Sequence, residues 1–85
     1  MFQLVIFEKE DSVFDAFNCE ETDAVEMFVK TSTSYLSSAL VTNLAKTSKF
    51  IVYYDPTGID TFMVMMIGDV PDKMVMDIAT ILKKQ

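Results

Sequence analysis

The sequence has no His, no Arg and no Trp, one Cys, two Gly and two Pro in 85 residues. Each scarcity removes a class of chemistry. Without His there is no side chain that ordinarily titrates near neutrality and no imidazole for a metal. No Ser has a His to activate it. The single Cys19 closes no disulfide within the chain and forms no Cys-type zinc site. An unpaired thiol suits a reducing, cytoplasmic compartment. Without Arg there is no bidentate fork for phosphate or carboxylate. The only glycines, Gly58 and Gly68, have no phosphate-loop spacing. No run approaches the ~20 apolar residues of a membrane span. Residues 1–7 carry no basic group, and Glu8, Glu10 and Asp11 follow at once, which predicts no signal peptide. Together these exclusions predict no catalytic residues, no metal and no cofactor.

What remains is core material. The chain is 51% hydrophobic and 12% aromatic, which excludes disorder for most of its length. Its length fits one domain, residues 1–85. A chain so short leaves much of its surface exposed on folding and needs a dense core, a partner, or both. Thirteen acidic residues against seven Lys give a net charge of −6. That balance disfavours direct contact with nucleic acid, which needs clustered cations.

Residues 2–7 form a β-branched and aromatic run that reads as a strand. Residues 8–12 read as a turn and 13–19 as a second strand, closing a hairpin. Thr22 or Asp23 then caps a helix, with Asp23 and Glu26 spaced as a capping box. Val25, Phe28, Val29, Ser32, Leu36, Ala39, Leu40 and Leu44 repeat at intervals of three and four, predicting a helix over about 22–46. Thr31, Ser32, Thr33 and Ser34 are four poor helix formers in its middle, where it kinks or breaks. Residues 50–55 are a strong strand, Asp55-Pro56-Thr57-Gly58 a turn, and 61–67 the next strand. Pro71 suits the first position of a closing helix. The predicted fold is α+β in the order ββαββα, with a four-stranded antiparallel or mixed sheet and two helices. With the second and third strands joined by a helix, the acidic loop 20–23, the 55–60 turn, Lys83 and Lys84 fall at one end of the sheet. The 8–12 turn, Lys46, Lys49 and Asp72 fall at the other.

Alternate strand residues point to opposite faces, and in three of these strands both faces are apolar. Two helices on one side leave the other side bare, and a bare apolar patch marks an interaction site. The alternative is one helix on each side and a closed monomer. The candidate contact residues on the sheet are Tyr53, Met63 and Met65, and self-association as a homodimer is expected through them. Met63, Met65 and Met66 also suit core filling. The six hydroxyl residues within 31–38 read as small side chains beneath a close-packed helix. Asp55 and Asp60 lack the ligand spacing of a calcium loop and read as a hairpin turn. Cys19 beside Glu20 and Glu21 reads as an inert thiol. Glu8, Glu10 and Asp11, and then Glu20, Glu21, Asp23 and Glu26, read as solvated acidic faces. The sharper expectation is that Glu20, Glu21 and Asp23 dock on a basic protein. The lysine pairs Lys46 with Lys49, and Lys83 with Lys84, are the nucleic-acid-binding candidates under the alternative.

The strand at 1–7, the strand at 13–19, the 22–46 helix and the strand at 50–55 resemble, in order and in their Lys-only basic content, the small early toxin-antagonist proteins of T-even phages. The resemblance covers roughly the first 55 residues and carries over no functional residue. It implies a non-catalytic protein that binds and blocks a host defence protein, such as a toxin nuclease, in the host cytoplasm. Some members of that functional class act through RNA, which keeps an RNA- or nucleoprotein-binding antagonist as the alternative. A structural subunit of a larger assembly is the third class.

Overall fold

The computed structural model describes residues 1–9, 12–36 and 43–84. Its elements are β1 (Phe2–Glu8), β2 (Val13–Cys19), a single 3-10 turn (Glu21–Asp23), α1 (Ala24–Tyr35), β3 (Asn43–Lys46), β4 (Phe50–Tyr54), β5 (Phe62–Ile67) and α2 (Asp72–Lys83). The sheet order is β2-β1-β5-β4-β3, and every pairing is antiparallel. The α+β class, the two helices and both hairpins agree with the sequence. The strand count does not: the sheet has five strands rather than four.

The fifth strand comes out of the predicted 22–46 helix. α1 stops at Tyr35, and Leu36 is already extended at φ −115° and ψ 101°. The break follows the hydroxyl run. Thr33 donates to the carbonyls of Val29 and Lys30, and Ser34 donates to that of Lys30. Side chains that bond back to the preceding turn compete with its continuation. Residues 43–46 then pair with β4, with Leu44 opposite Tyr53. Leu44 fits a helical stripe by spacing, yet it reaches the core equally well from a strand. Ala39 and Leu40, the rest of that stripe, lie outside the described residues, as do Ser37 and Ser38 of the hydroxyl run and Glu10 and Asp11 of the first acidic group.

Both helix starts also differ from expectation. Asp23 holds the N-cap position of α1 but makes no side-chain cap bond, because the 3-10 turn before it has already bent its backbone to φ −102° and ψ −3°. Pro71 sits one place earlier than expected, at the N-cap of α2, with an extended ψ of 149°.

Both helices lie on one face of the sheet. Leu4, Ile6, Ile51, Val64 and Met66 point into that layer and meet Phe28 and Ile78, all of them fully buried. Burying such a side chain contributes about 1.5–3 kcal/mol, so this layer carries the stability of the fold. A shift of register between Ile6 and Phe7 marks a bulge in β2. The bulge turns Phe14 toward the helices, where its ring packs edge-on against Tyr35 at 5.8 Å and Phe62 at 5.4 Å.

Strand directions correct the expected ends of the molecule. The N–H of Lys9 donates to the carbonyl of Thr61 and that of Gly68 to the carbonyl of Lys49. The 8–12 and 55–60 turns therefore share one end, with Lys83. The 20–23 loop shares the other with Lys46, Lys49 and Asp72. The expected grouping assumed that the 13–19 and 50–55 strands run parallel, whereas β3 intervenes and reverses the chain, so that β4 runs opposite to β2. No helix among the described residues is long and apolar enough to cross a membrane.

Candidate interaction surface

The second face of the sheet has no helix on it. Its centre is one row that crosses all five strands: Ala16 beside Val5, Val5 beside Met65, Met65 beside Val52, Val52 beside Ala45. Toward one end the row is flanked by Gln3, Ile67 and Phe50. Toward the other it is flanked by Phe7 with Val13 and Met63. Period-two alternation puts these residues on one side, and none of the strand residues on that side is charged. Phe7, Phe50, Val52, Met63 and Met65 are half-buried by one another. Ile67 is 39% exposed and Val13 57%.

Met63 and Met65 thus stand on the open face as the sequence suggested, but Tyr53 does not. Tyr53 is 7% exposed and belongs to the helix-side core. It lines a groove of about 380 Å³ with Leu44, Val75, Ala79 and Leu82. Its neighbour Tyr54, half-buried and opposite Asn43, occupies the open side instead. Alternation separates Tyr53 from Tyr54 but does not say which face the helices take. The register with β5 separates Tyr53 from Met65: it sets Tyr53 beside buried Val64 and Val52 beside Met65.

Glu20, Glu21 and Asp23 are exposed, as expected. They follow the edge strand β2 and precede α1. Cys19 is buried beneath them, and its Sγ–H donates to the carbonyl of Glu20 at 3.4 Å. Loss of solvent pushes the Cys19 thiol up, and the carboxylates of Asp23 and Glu20 push it further. A thiol held protonated in this way is a poor nucleophile.

The lysines do not form one patch. Lys46 is engaged by Asp72, whose carboxyl is held below the usual range by that hydrogen bond and by the lysine charge. Lys49 is exposed in the adjacent turn. Lys83 and Lys84 lie at the far end of α2, roughly 17 Å away at 1.5 Å per helical residue.

Asp55 is a structural anchor. It accepts from the N–H and hydroxyl of Thr57 at 2.8 and 2.6 Å and from the N–H of Asp60 at 2.9 Å. The Thr57 hydroxyl, and next the Asp60 amide, hold its carboxyl below the usual range. These bonds organise the hairpin turn that the sequence predicted. The described residues include no group of three or more His, Cys, Asp or Glu side chains placed to hold a metal ion.

The sequence reading missed the aromatic cluster of Phe14, Tyr35 and Phe62. Its rings stand 5.2–5.8 Å apart, and Phe14 remains 54% exposed. Only the bulge assembles it, and no residue pattern announces the bulge. No protein-family model matches the chain, and no curated protein matches it.

Proposed function

We propose that the chain acts by occupying another protein, as a non-catalytic inhibitor of the kind that blocks a host defence protein such as a toxin nuclease. The observation that carries this reading is the uncharged apolar sheet face that neither helix covers. A face of that composition is stabilised by exclusion of water once a partner covers it. The exposed Glu20, Glu21 and Asp23 supply the second element, a negative end that steers the protein toward a basic target. The RNA-binding alternative is less well supported, since its four lysines fall at two ends and Lys46 is already engaged by Asp72.

The test is titration of purified chain into a panel of toxin ribonucleases, following RNA cleavage. Inhibition that saturates at a fixed molar ratio, with the chain recovered unchanged, is the expected result. Sub-stoichiometric inactivation of the target sinks the non-catalytic reading. Charge reversal at Glu20, Glu21 and Asp23 is expected to slow association, most strongly at low salt. Purified chain that carries nucleic acid, bound with steep salt dependence, favours the alternative instead.

A further inference from the structure

We infer that the open sheet face pairs with the same face of a second copy, in a two-fold sandwich centred on Met65. The inference rests on the reading of that face as a docking surface and names its occupant. Three observations on that face point to a second copy.

The first is charge. Each chain carries −6, so two copies repel wherever acidic groups meet. The strand residues of the open face contribute no charge at all. Two copies that meet through these strand residues bring no carboxylates of the strands into opposition.

The second is area. Five strands at about 4.8 Å spacing and ~20 Å length give a flat face of about 480 Å². Two such faces remove roughly 960 Å² before the corrugation of side chains is added, which brings the pair past the ~1,000 Å² that a specific interface needs.

The third is the sequence of the central row. Ala16, Val5, Met65, Val52 and Ala45 read the same in both directions. A two-fold axis parallel to the strands, lying between the sheets, reverses strand order. It therefore sets Met65 on Met65 of the second copy, Val5 on Val52 and Ala16 on Ala45. An isologous interface demands this self-complementarity. The bulkiest, most adaptable side chain falls on the axis, and small ones fall at the edges where twisted sheets diverge.

Sedimentation equilibrium on the full chain tests the inference. Wild type is expected at twice the chain mass across the micromolar range. Met65→Lys and Met65→Glu are each expected to sediment as monomers, weakened at least tenfold, with unchanged far-ultraviolet circular dichroism. An equimolar mixture of the two is expected to associate more strongly than either alone, because the axis brings Lys against Glu. A monomeric wild type overturns the inference, and so does a mixture that stays apart. Target binding separates this inference from the functional reading. A monomeric wild type that loses its target on Met65→Lys refutes the dimer and keeps the docking face. A monomeric wild type that keeps its target after Met65→Lys removes both.

Discussion

Gly68→Ala tests a close approach between backbone and a core ring. Gly68 follows β5 with φ +147°, its N–H donates to the carbonyl of Lys49, and Phe2 is buried. An added Cβ would stand 2.4 Å from Cδ1 and 2.9 Å from Cε1 of Phe2, and neither distance is tolerable between carbon atoms. Two costs follow. Holding a residue with a side chain at that φ costs about 1–3 kcal/mol, and pushing the Phe2 ring out of a packed layer costs about 1–3 kcal/mol more. The sum, roughly 2–6 kcal/mol, compares with about 4–13 kcal/mol of total stability for a chain of this length. The melting temperature is expected to fall by at least about 10 °C. Urea unfolding followed by circular dichroism, at one protein concentration throughout, measures the loss. Phe2→Val removes the two clashing ring atoms, so Gly68→Ala in that background should cost only the backbone share. The difference between backgrounds is expected to be about 1–3 kcal/mol. Additivity within ~0.5 kcal/mol, or a cost below ~1 kcal/mol for Gly68→Ala alone, refutes the reasoning.

Ser32 is fully buried in α1, and its hydroxyl has no partner among the described residues. Ser32→Ala is therefore expected to raise stability by about 1 kcal/mol, read as a higher urea midpoint; a lower midpoint means the hydroxyl is bonded. Asp55 titrates lower in the folded chain than the ~3.9 of an unfolded Asp, so protonation favours unfolding. Its contribution is complete above that value and is lost as pH falls through the folded pKa. Asp55→Asn should flatten the acid limb of stability against pH, leaving the part due to Asp72, whose shift has the same sign; an unchanged limb contradicts this. Cys19 should react with a disulfide reagent more slowly in the native chain than in urea, because burial and its acidic neighbours keep it protonated. Equal rates refute that.

The parts of the fold legible in the sequence are those where local chemistry and tertiary placement agree. Residues 50–54 and 62–67 are continuous apolar runs joined by a turn containing Pro-Thr-Gly, and Asp55 completes that turn with its own side chain. Leu44 shows why the sequence predicts a helix over 22–46 where the structure ends it at Tyr35. Its spacing from Leu36 and Leu40 fits period 3.6, and a four-residue strand with one core-facing Leu leaves no period-two pattern to oppose it. Spacing alone favours the helix, and the tertiary pairing with Tyr53 overrides it. Tyr53 fell on the other face because the hairpin register, which the sequence does not state, pairs it with Val64 rather than with Met65. Phe14 was illegible for a different reason, since a bulge changes which side a residue faces without changing its composition. Met63 and Met65 share a face by alternation, but both faces of their strand are apolar, so spacing alone does not choose between them and Val64 with Met66.

The edges of the sheet explain why assembly should proceed through the face. β3 is only four residues long, and Lys46 at its end is drawn to Asp72. β2 is longer but carries the bulge, and the Asp15 carboxylate accepts the N–H of Ala16 at 2.8 Å. Short length, bulges and charge on a strand are the usual means of blunting an edge against strand addition. A copy added with β2 against β3 would present a new edge, so growth would continue. A copy added on the open face consumes that face on both partners and stops at two. Such a pair leaves Glu20, Glu21 and Asp23 outside the sandwich on each copy. If the proposed pair forms and the proposed target is itself two-fold, two acidic ends on one body would meet it at both sites, and the second contact would form at a high effective concentration.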